Sequence, residues 1–426
     1  MNKSEYKIHI IGGGISGLIA AQVLENSGYH PVIIEATDRV GGRVKTDIVE
    51  DCVLDHGFQV LLTAYPAAKR YLDYDALTLQ HFLPGAQIFT DKGSTLLGDP
   101  LRSIKLLLPT LFSNVGSIAD KWKVLRLNRL LKKTEISEIF EEKEETTLSF
   151  LKKFGFSETM INHFFKPFFG GIFLEANLQT SSRMFKFVYK MFGEGNAAIP
   201  KKGIEQIPIQ LKANLKFTSF KYHTRVKYIE EQKIVLENGE DIKSHFTIVA
   251  TDPNVLIPNL RNQEITWKSC DTLYFKTKGE YRNTSLIGLI AQDSTLINNI
   301  CSATSLEDDA KTSKKVVSVT VVKDHQLDLE ELIQQVSAEL ERYCNIQVDH
   351  FIKRYEIRKA LPDLSNIQYE MLPSETQLSS SIFLAGDQQL NASLNAAMIS
   401  GERAALGVIN TLEKGLIVEE FTSEFN

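Results

Sequence analysis

Three glycines near the N-terminus and one acidic residue after them have the spacing of a nucleotide-binding loop. Gly12, Gly14 and Gly17 follow the pattern G-x-G-x-x-G. In such a loop the first glycine permits a tight turn, the second lets the backbone approach a diphosphate, and the third lets a helix pack on a strand. Glu35 could accept hydrogen bonds from ribose hydroxyls, and its charge disfavours a 2′-phosphate. These residues predict a dinucleotide site, with NADP the least suitable ligand.

The flanking residues predict the elements that position this loop. Residues 8–11 are a short apolar run of the kind found in buried parallel strands, and 31–35 form a second such run that ends at Glu35. A helix is expected between them over about 15–27. Its N-terminus would direct free N–H groups and the positive end of its dipole at the phosphates.

A second glycine loop follows Glu35. Asp38 to Arg43 have the sequence DRVGGR, in which two glycines stand between Arg39 and Arg43. Such a loop can bring backbone and guanidinium groups to a diphosphate, and an ordinary NAD domain does not need it. The two stretches IIGGGISGLIAAQVL and IIEATDRVGGRV together resemble the start of the flavin-containing amine oxidase superfamily. That group also includes protoporphyrinogen oxidases and phytoene or carotene desaturases.

Two later segments carry the same resemblance. In 223–252, a valine at the place of Val226 contacts the adenine in relatives, and the strand that ends at Thr251 lies near the diphosphate. In 382–409, the pair Gly386-Asp387 is expected at the ribityl-diphosphate arm, and a helix from about Leu394 is expected to point its N-terminus at the flavin. No Ser-Gly-Gly-Cys lies near the C-terminus, so the resemblance implies FAD held noncovalently.

The resemblance implies an α/β fold of two discontinuous domains. A Rossmann-like FAD-binding domain of the GR2 type is expected from 1–60, 205–255 and 376–415. A substrate-binding domain is expected from 61–204 and 256–375, with a helical subdomain over about 97–192 and, as is typical of the family, a six-stranded sheet.

Site residues follow from the motifs and from the resemblance. The expected cofactor contacts are Gly12, Gly14, Ile15, Ser16, Gly17, Glu35, Ala36, Arg39, Gly42, Arg43, Gly57, Phe58, Val226, Thr251, Gly386, Asp387 and Leu394. No catalytic residue is identified, and the weak candidates are His56, Gln59 and Lys268. Many amine oxidases have a lysine near the flavin, where an ungapped comparison places Cys270, with Lys268 two residues earlier.

Aromatic residues are concentrated in one part of the chain. Eleven of the 24 phenylalanines lie within 150–192. They could line a pocket for a large apolar or conjugated substrate, or simply pack the helical subdomain. Pro167 and the pair Gly170-Gly171 are expected to interrupt the helix there.

Composition excludes several classes. The 426 residues carry a formal charge of −5, which argues against a nucleic-acid binder. Four widely spaced cysteines indicate reduced thiols and a cytoplasmic protein, and neither they nor the nine histidines show a metal-binding spacing. The basic segment 119–133 could form an amphipathic helix on a membrane surface, or an ordinary exposed helix.

Three functions are compatible with these observations. The leading hypothesis is an FAD-dependent oxidoreductase that acts on a sizeable, largely apolar molecule such as a tetrapyrrole precursor or polyene. The alternatives are a flavin amine oxidase and a non-enzymatic carrier that resembles the GDP-dissociation inhibitors. The sequence does not indicate the electron acceptor.

Overall fold

The computed structural model describes residues 2–258, 260, 265–278, 285–303 and 316–415. A five-stranded parallel sheet brings together the three segments that were assigned to the nucleotide domain. Its strands, in the order β10-β2-β1-β14-β20, are β1 Ile8–Ile11, β2 Val32–Ile34, β10 Ser219–Lys221, β14 Phe246–Val249 and β20 Ile382–Leu384. The predicted α/β class with a Rossmann-like sheet is therefore confirmed.

A second sheet has seven strands, one more than the resemblance implied, although part of 279–315 lies outside the described residues. Its order is β19-β15-β18-β17-β16-β7-β8, with β7 Gly85–Thr90, β8 Gly93–Gly98, β15 Thr266–Thr277, β16 Ile287–Ile290, β17 Ile297–Ser302, β18 Val316–Val321 and β19 Val348–Asp363. The hairpin β7–β8 lies almost entirely before the helical subdomain expected over about 97–192, and β7 joins the sheet by pairing in parallel with β16.

The remaining strands form three small sheets. They are β3 Thr46–Val49 with β4 Cys52–Asp55; β5 Leu61–Leu62, β6 Leu79–His81 and β9 Ala197–Pro200; and β11 Val226–Glu230, β12 Lys233–Leu236 and β13 Asp241–Lys243.

Helices cover both large sheets. They are α1 Ile15–Asn26, α2 Pro66–Tyr71, α3 Tyr74–Leu77, α4 Leu107–Phe112, α5 Ile118–Lys133, α6 Ile136–Glu141, α7 Thr147–Phe154, α8 Glu158–Met160, α9 Lys166–Phe173, α10 Ser182–Glu194, α11 Gln206–Ala213, α12 Pro253–Leu256, α13 Leu329–Cys344 and α14 Leu394–Lys414. Within the described ranges, none of them combines the length and the apolar character that crossing a bilayer requires.

The interruption expected near Pro167 differs in detail from the structure. A π-helical turn, Ile161–Phe165, precedes α9, and Pro167 lies in the first turn of α9, where a missing N–H is tolerated. Gly170 and Gly171 do not break the helix. A Cβ on Gly171 would lie 2.7 Å from Asn298 Nδ2, so the glycines let α9 approach β17 closely.

Candidate cofactor and substrate site

The two N-terminal glycine loops lie against each other. The amide of Gly12 donates to Ile34 O at 2.9 Å, the amide of Gly41 donates to Gly13 O at 2.9 Å, and Gly14 pairs with Gly41 as an isolated parallel bridge. A Cβ on Gly14 would meet nothing closer than the Cα of Gly42, 4.0 Å away. The space between the loops is therefore open at the N-terminus of α1, where backbone N–H groups and the helix dipole favour an anion.

The C-terminal turn meets the second glycine loop. The guanidinium of Arg43 makes an ion pair with Asp387 Oδ1 and donates to Ala360 O at 3.2 Å. The same guanidinium lies 5.3 Å from the centroid of the Trp267 ring. Segments 344 positions apart in the sequence are thus joined at one place, as the motifs predicted.

Glu35 lies at the other end of this space and is buried. Its Oε2 accepts from the amide of Gly13 at 2.7 Å, and its Oε1 accepts from the amide of Thr37 at 2.9 Å and from the hydroxyl of Thr37 at 2.8 Å. An ionised carboxylate offers about four acceptor positions. One position therefore stays available for a ribose hydroxyl, while the others hold the first glycine loop in place.

Helix α14 begins at the same site. Ser393 caps it by accepting from the amide of Ala396 at 3.0 Å, and the amide of Gly386 donates to Ser400 Oγ at 3.0 Å. Ser393 and Leu394 line the cavity, so the positive end of a 21-residue helix faces it.

One continuous cavity of about 1510 Å³ joins these elements to the helical subdomain. Of the predicted contacts, those on its wall are Gly12, Gly14, Ile15, Ser16, Glu35, Gly42, Arg43, Gly57, Phe58, Thr251, Gly386, Asp387 and Leu394. The weak catalytic candidates His56, Gln59 and Lys268 also line it. The structure does not bring Gly17, Ala36, Arg39 or Val226 to the cavity wall.

Packing and ion pairs explain three of these four exceptions. A Cβ on Gly17 would lie 2.1 Å from Gly12 O, so Gly17 serves the contact between helix and loop. Arg39 donates to Asp47 Oδ1 at 2.8 Å and lies 3.1 Å from Glu205 Oε1, which directs its guanidinium away from the expected diphosphate position. Val226 is buried in the apolar cluster beneath β11 and β12.

His56 belongs to a hydrogen-bonded network at the cavity wall. Its Nε2 lies 2.9 Å from Asp47 Oδ2, Tyr355 OH donates to the same oxygen at 2.9 Å, and the two rings stack with centroids 4.2 Å apart. Burial alone would raise the pKa of Asp47, but hydrogen bonds from Arg39, His56 and Tyr355 hold it well below its ordinary value. Asp47 therefore stays ionised and fixes the orientation of the His56 ring.

The other two candidates have different surroundings. Gln59 Nε2 donates to the carbonyls of Arg43 at 2.9 Å and His56 at 3.0 Å, so Gln59 joins two loops. Lys268 Nζ donates to Thr180 Oγ1 at 3.1 Å and lies 3.4 Å from Asp363 Oδ1. Of the three, Lys268 places a cationic group on the cavity wall.

Sequence reasoning missed Asp47 and Trp267. Trp267 lines the cavity, its ring lies near the cationic groups of Arg43 and Lys359, and its buried Nε1 has no hydrogen-bond partner among the described residues. The chain has two tryptophans, and the other, Trp122, also lines the cavity. Because tryptophan is rare in this chain, Trp267 could have been singled out from the sequence as a candidate site residue. No comparable sequence signal marked Asp47.

Asp55, beside this network, predicts a pH dependence of stability. Burial raises its pKa to about 6, against the lowering effect of hydrogen bonds from Thr46 and the amide of Ile204. The folded state therefore binds more protons than the unfolded chain between about pH 4 and 6, so the free energy of unfolding falls as pH rises through that range. Asp55→Asn is expected to abolish the fall and to gain about 2 kcal/mol at pH 7.

Urea unfolding of both proteins between pH 4 and 8 measures this effect. Asp47→Asn is the control of opposite sign: because the folded-state pKa of Asp47 is depressed, its charge stabilises the protein at pH 7 and that stability is lost as pH falls. If the free energy of unfolding of wild type and of Asp55→Asn changed with pH in parallel, a raised pKa of Asp55 would be contradicted.

A family model described as flavin containing amine oxidoreductase matches residues 15–409 of this chain. The chain belongs to this family. This match confirms the predicted resemblance. At the level of the family, it also confirms that the chain is a flavoprotein and a flavin-dependent oxidoreductase. The open space at Gly14 and the available acceptor position on Glu35 fit the diphosphate and ribose of FAD.

Individual relatives in the flavin amine oxidoreductase family are distant. Protoporphyrinogen oxidase 2 of Arabidopsis thaliana is 26% identical over 170 residues, which is 39% of this chain and only 32% of that protein's length. An oxidoreductase from Methanosarcina mazei superposes with a TM-score of 0.72 at 14% identity, covering 95% of this chain and 100% of the other. A redesigned putrescine oxidase gives 0.70 at 17% identity, covering 95% and 98%. These structural matches show the shared fold.

Proposed function

We propose that this protein uses noncovalently bound FAD to oxidise a sizeable, largely apolar substrate. The observation that carries the proposal is the wall of the cavity beyond the glycine loops. Side chains from the π-helical turn, α9 and α10 line it, among them Phe164, Phe168, Phe169, Phe173, Tyr189 and Phe192. The whole cavity exceeds the roughly 300–1,000 Å³ of common ligand sites, which leaves room for a large molecule beside the cofactor.

The carboxylates on the wall favour a neutral substrate over an ammonium ion. Glu144 pairs with Arg183, Glu145 with Lys153, and the backbone amides of Gln179 and Thr180 donate to Glu175. The other acidic residues on the wall, Glu35, Asp99, Asp252, Asp363 and Asp387, also have partners within the described part of the chain. An amine would have to compete with these partners for its counter-charge.

Protein groups position the substrate and exclude water, while bound FAD supplies the oxidising chemistry. The aromatic wall packs against an apolar body, and Asp47 fixes the His56 ring on the wall. Lys268, neutralised in part by Asp363, lies two residues before Cys270, the position at which an ungapped comparison expects the lysine of many amine oxidases. This departure weakens the second candidate function, a flavin amine oxidase.

Noncovalent attachment is supported by the thiol on the wall. Of the four cysteines, Cys270 is the one that lines the cavity. Burial, with a contribution from Asp271, raises the pKa of the Cys270 thiol to about 12. It therefore stays protonated and is a poor nucleophile at neutral pH. Acid precipitation should release all flavin into the supernatant.

Anaerobic reduction of the purified protein tests the proposal. Protoporphyrinogen or phytoene is expected to bleach the flavin absorption, whereas putrescine and aromatic amines leave it oxidised. Rapid bleaching by an amine alone would establish the amine oxidase instead. A colourless protein that takes up no FAD would favour the carrier that resembles GDP-dissociation inhibitors.

A further inference from the structure

An exposed apolar surface adjoins the cavity. We call it the entrance face, and its exposed side chains are Leu101, Ile104, Leu107, Leu108, Leu111, Phe112, Ile118 and Trp122. Leu101 is 82% exposed and Phe112 is 84% exposed. Eight large apolar side chains within 22 residues form a concentration that the isolated exposed residues elsewhere in the described part of the chain do not match.

Specific contacts hold this face in place. Thr110 Oγ1 accepts from the amide of Gly98 at 3.0 Å and donates to Gly98 O at 3.1 Å, which fixes α4 on β8. Lys121 Nζ donates to Leu111 O at 3.0 Å and Ser113 O at 2.9 Å, which joins α5 to the end of α4. The apolar side chains are therefore displayed by a braced segment.

The cavity opens at the entrance face. Leu107, Leu111, Ile118 and Trp122 are all exposed, and all four line the cavity. A molecule that crosses this face would pass from outside the protein, between these four side chains, into the aromatic part of the cavity. Arg102 and Lys121 of the same segment also line the cavity.

The segment that carries the face has almost entirely positive charge. Residues 101–133 contain eight lysines and arginines and one acidic residue, Asp120, which is fully buried and accepts from the amides of Ser117 and Ser157. The exposed basic residues are Arg102, Lys105, Arg126, Arg129, Lys132 and Lys133. Acidic residues resume only at Glu135. Apolar side chains with a basic surround complement an anionic lipid surface.

The surface available to a membrane differs from the amphipathic helix expected over 119–133. In α5 the apolar residues Leu127 and Leu131 are buried in the protein, so that side of the helix is not available to lipid. In the first two turns of α5, Ile118 and Trp122 contribute to the entrance face, and Leu130 is exposed near the C-terminus of the helix. The other exposed residues named on α5, Arg126, Arg129, Lys132 and Lys133, contribute charge.

We propose that the entrance face docks on an anionic lipid bilayer and that the substrate enters the cavity from the acyl-chain region through it. Docking itself depends only on the exposed face. Substrate entry rests on the proposed function, because only a lipid-soluble substrate would take this route.

Sedimentation of the full-length holoprotein with vesicles tests the docking. Binding is expected with an equal mixture of phosphatidylcholine and phosphatidylglycerol, weaker binding with phosphatidylcholine alone, and a loss of binding in high salt. The triple variant Leu101→Gln, Leu108→Gln, Phe112→Gln should lower partitioning at least about tenfold. None of these three residues lines the cavity, so the flavin content of the triple variant should equal that of wild type.

The matched control is Ile48→Gln, Phe217→Gln, Leu372→Gln, three similarly exposed apolar residues elsewhere, of which Leu372 is 64% exposed against 63% for Leu108. The control should bind vesicles like wild type. The proposal would be overturned if wild type did not bind vesicles, or if both triple variants lost binding equally. It would also be overturned if wild type formed a dimer and only the entrance-face variant were monomeric. Vesicle binding without flavin reduction by any apolar substrate would contradict the proposed function and leave the docking intact.

Discussion

Replacing Gly14 with valine is expected to give a folded but colourless protein. The backbone at Gly14 has φ −73° and ψ −177°, which valine adopts without strain, and a Cβ there would meet no protein atom closer than 4.0 Å. The protein itself therefore tolerates the side chain. Its two methyl groups would instead fill the space between Gly14 and Gly42 that a diphosphate needs.

Flavin absorption and thermal unfolding measure this effect. FAD affinity should fall at least about 100-fold, and added FAD, which stabilises wild type by about 2.7 kcal/mol at 100 times its Kd, should not stabilise the variant. Gly193→Val is the control, because a Cβ on Gly193 also meets nothing within 4 Å, and Gly193 lies on α10 in the aromatic part of the cavity wall, outside both glycine loops. Normal FAD retention by Gly14→Val would place the diphosphate elsewhere.

The elements around the first glycine loop could be predicted almost residue by residue. Strand β1 spans the predicted residues 8–11, and α1 runs from Ile15 to Asn26, one residue short of the prediction. This succeeds because the signals are local: an apolar run, a glycine turn and a helix former follow one another within twenty residues. The Gly386-Asp387 turn was predictable for the same reason.

Long-range pairing could not be predicted in this way. Arg39 looked equivalent to Arg43, yet Asp47 and Glu205 bind the first guanidinium and Asp387 binds the second. Which carboxylate meets which arginine depends on how β3, the N-cap of α11 and the turn between β20 and α14 pack together, and no local sequence pattern encodes that packing. The strand β7 likewise gains its place only by pairing with β16, about 200 residues later in the sequence.

Replacing Gly401 with alanine is expected to destabilise the protein, although alanine is the better helix former. Gly401 lies inside α14, where alanine should gain about 1 kcal/mol from helix propensity alone. However, the new Cβ would lie 2.2 Å from the backbone oxygen of Ser16 on α1. Backbone atoms cannot rotate away, so the two helices must separate, at a cost of about 3 kcal/mol.

The same displacement should weaken FAD binding, because α1 carries Ser16 and α14 carries Leu394, and both residues line the cavity. Urea unfolding of the apoprotein and FAD titration measure the two effects separately. Gly193→Ala is the control, since that glycine also lies in a helix but has open space around its Cβ, and it should be neutral or slightly stabilising. If Gly401→Ala is stabilising as well, helix propensity outweighs the contact, and the close approach of α1 and α14 is not what holds the two halves of the site together.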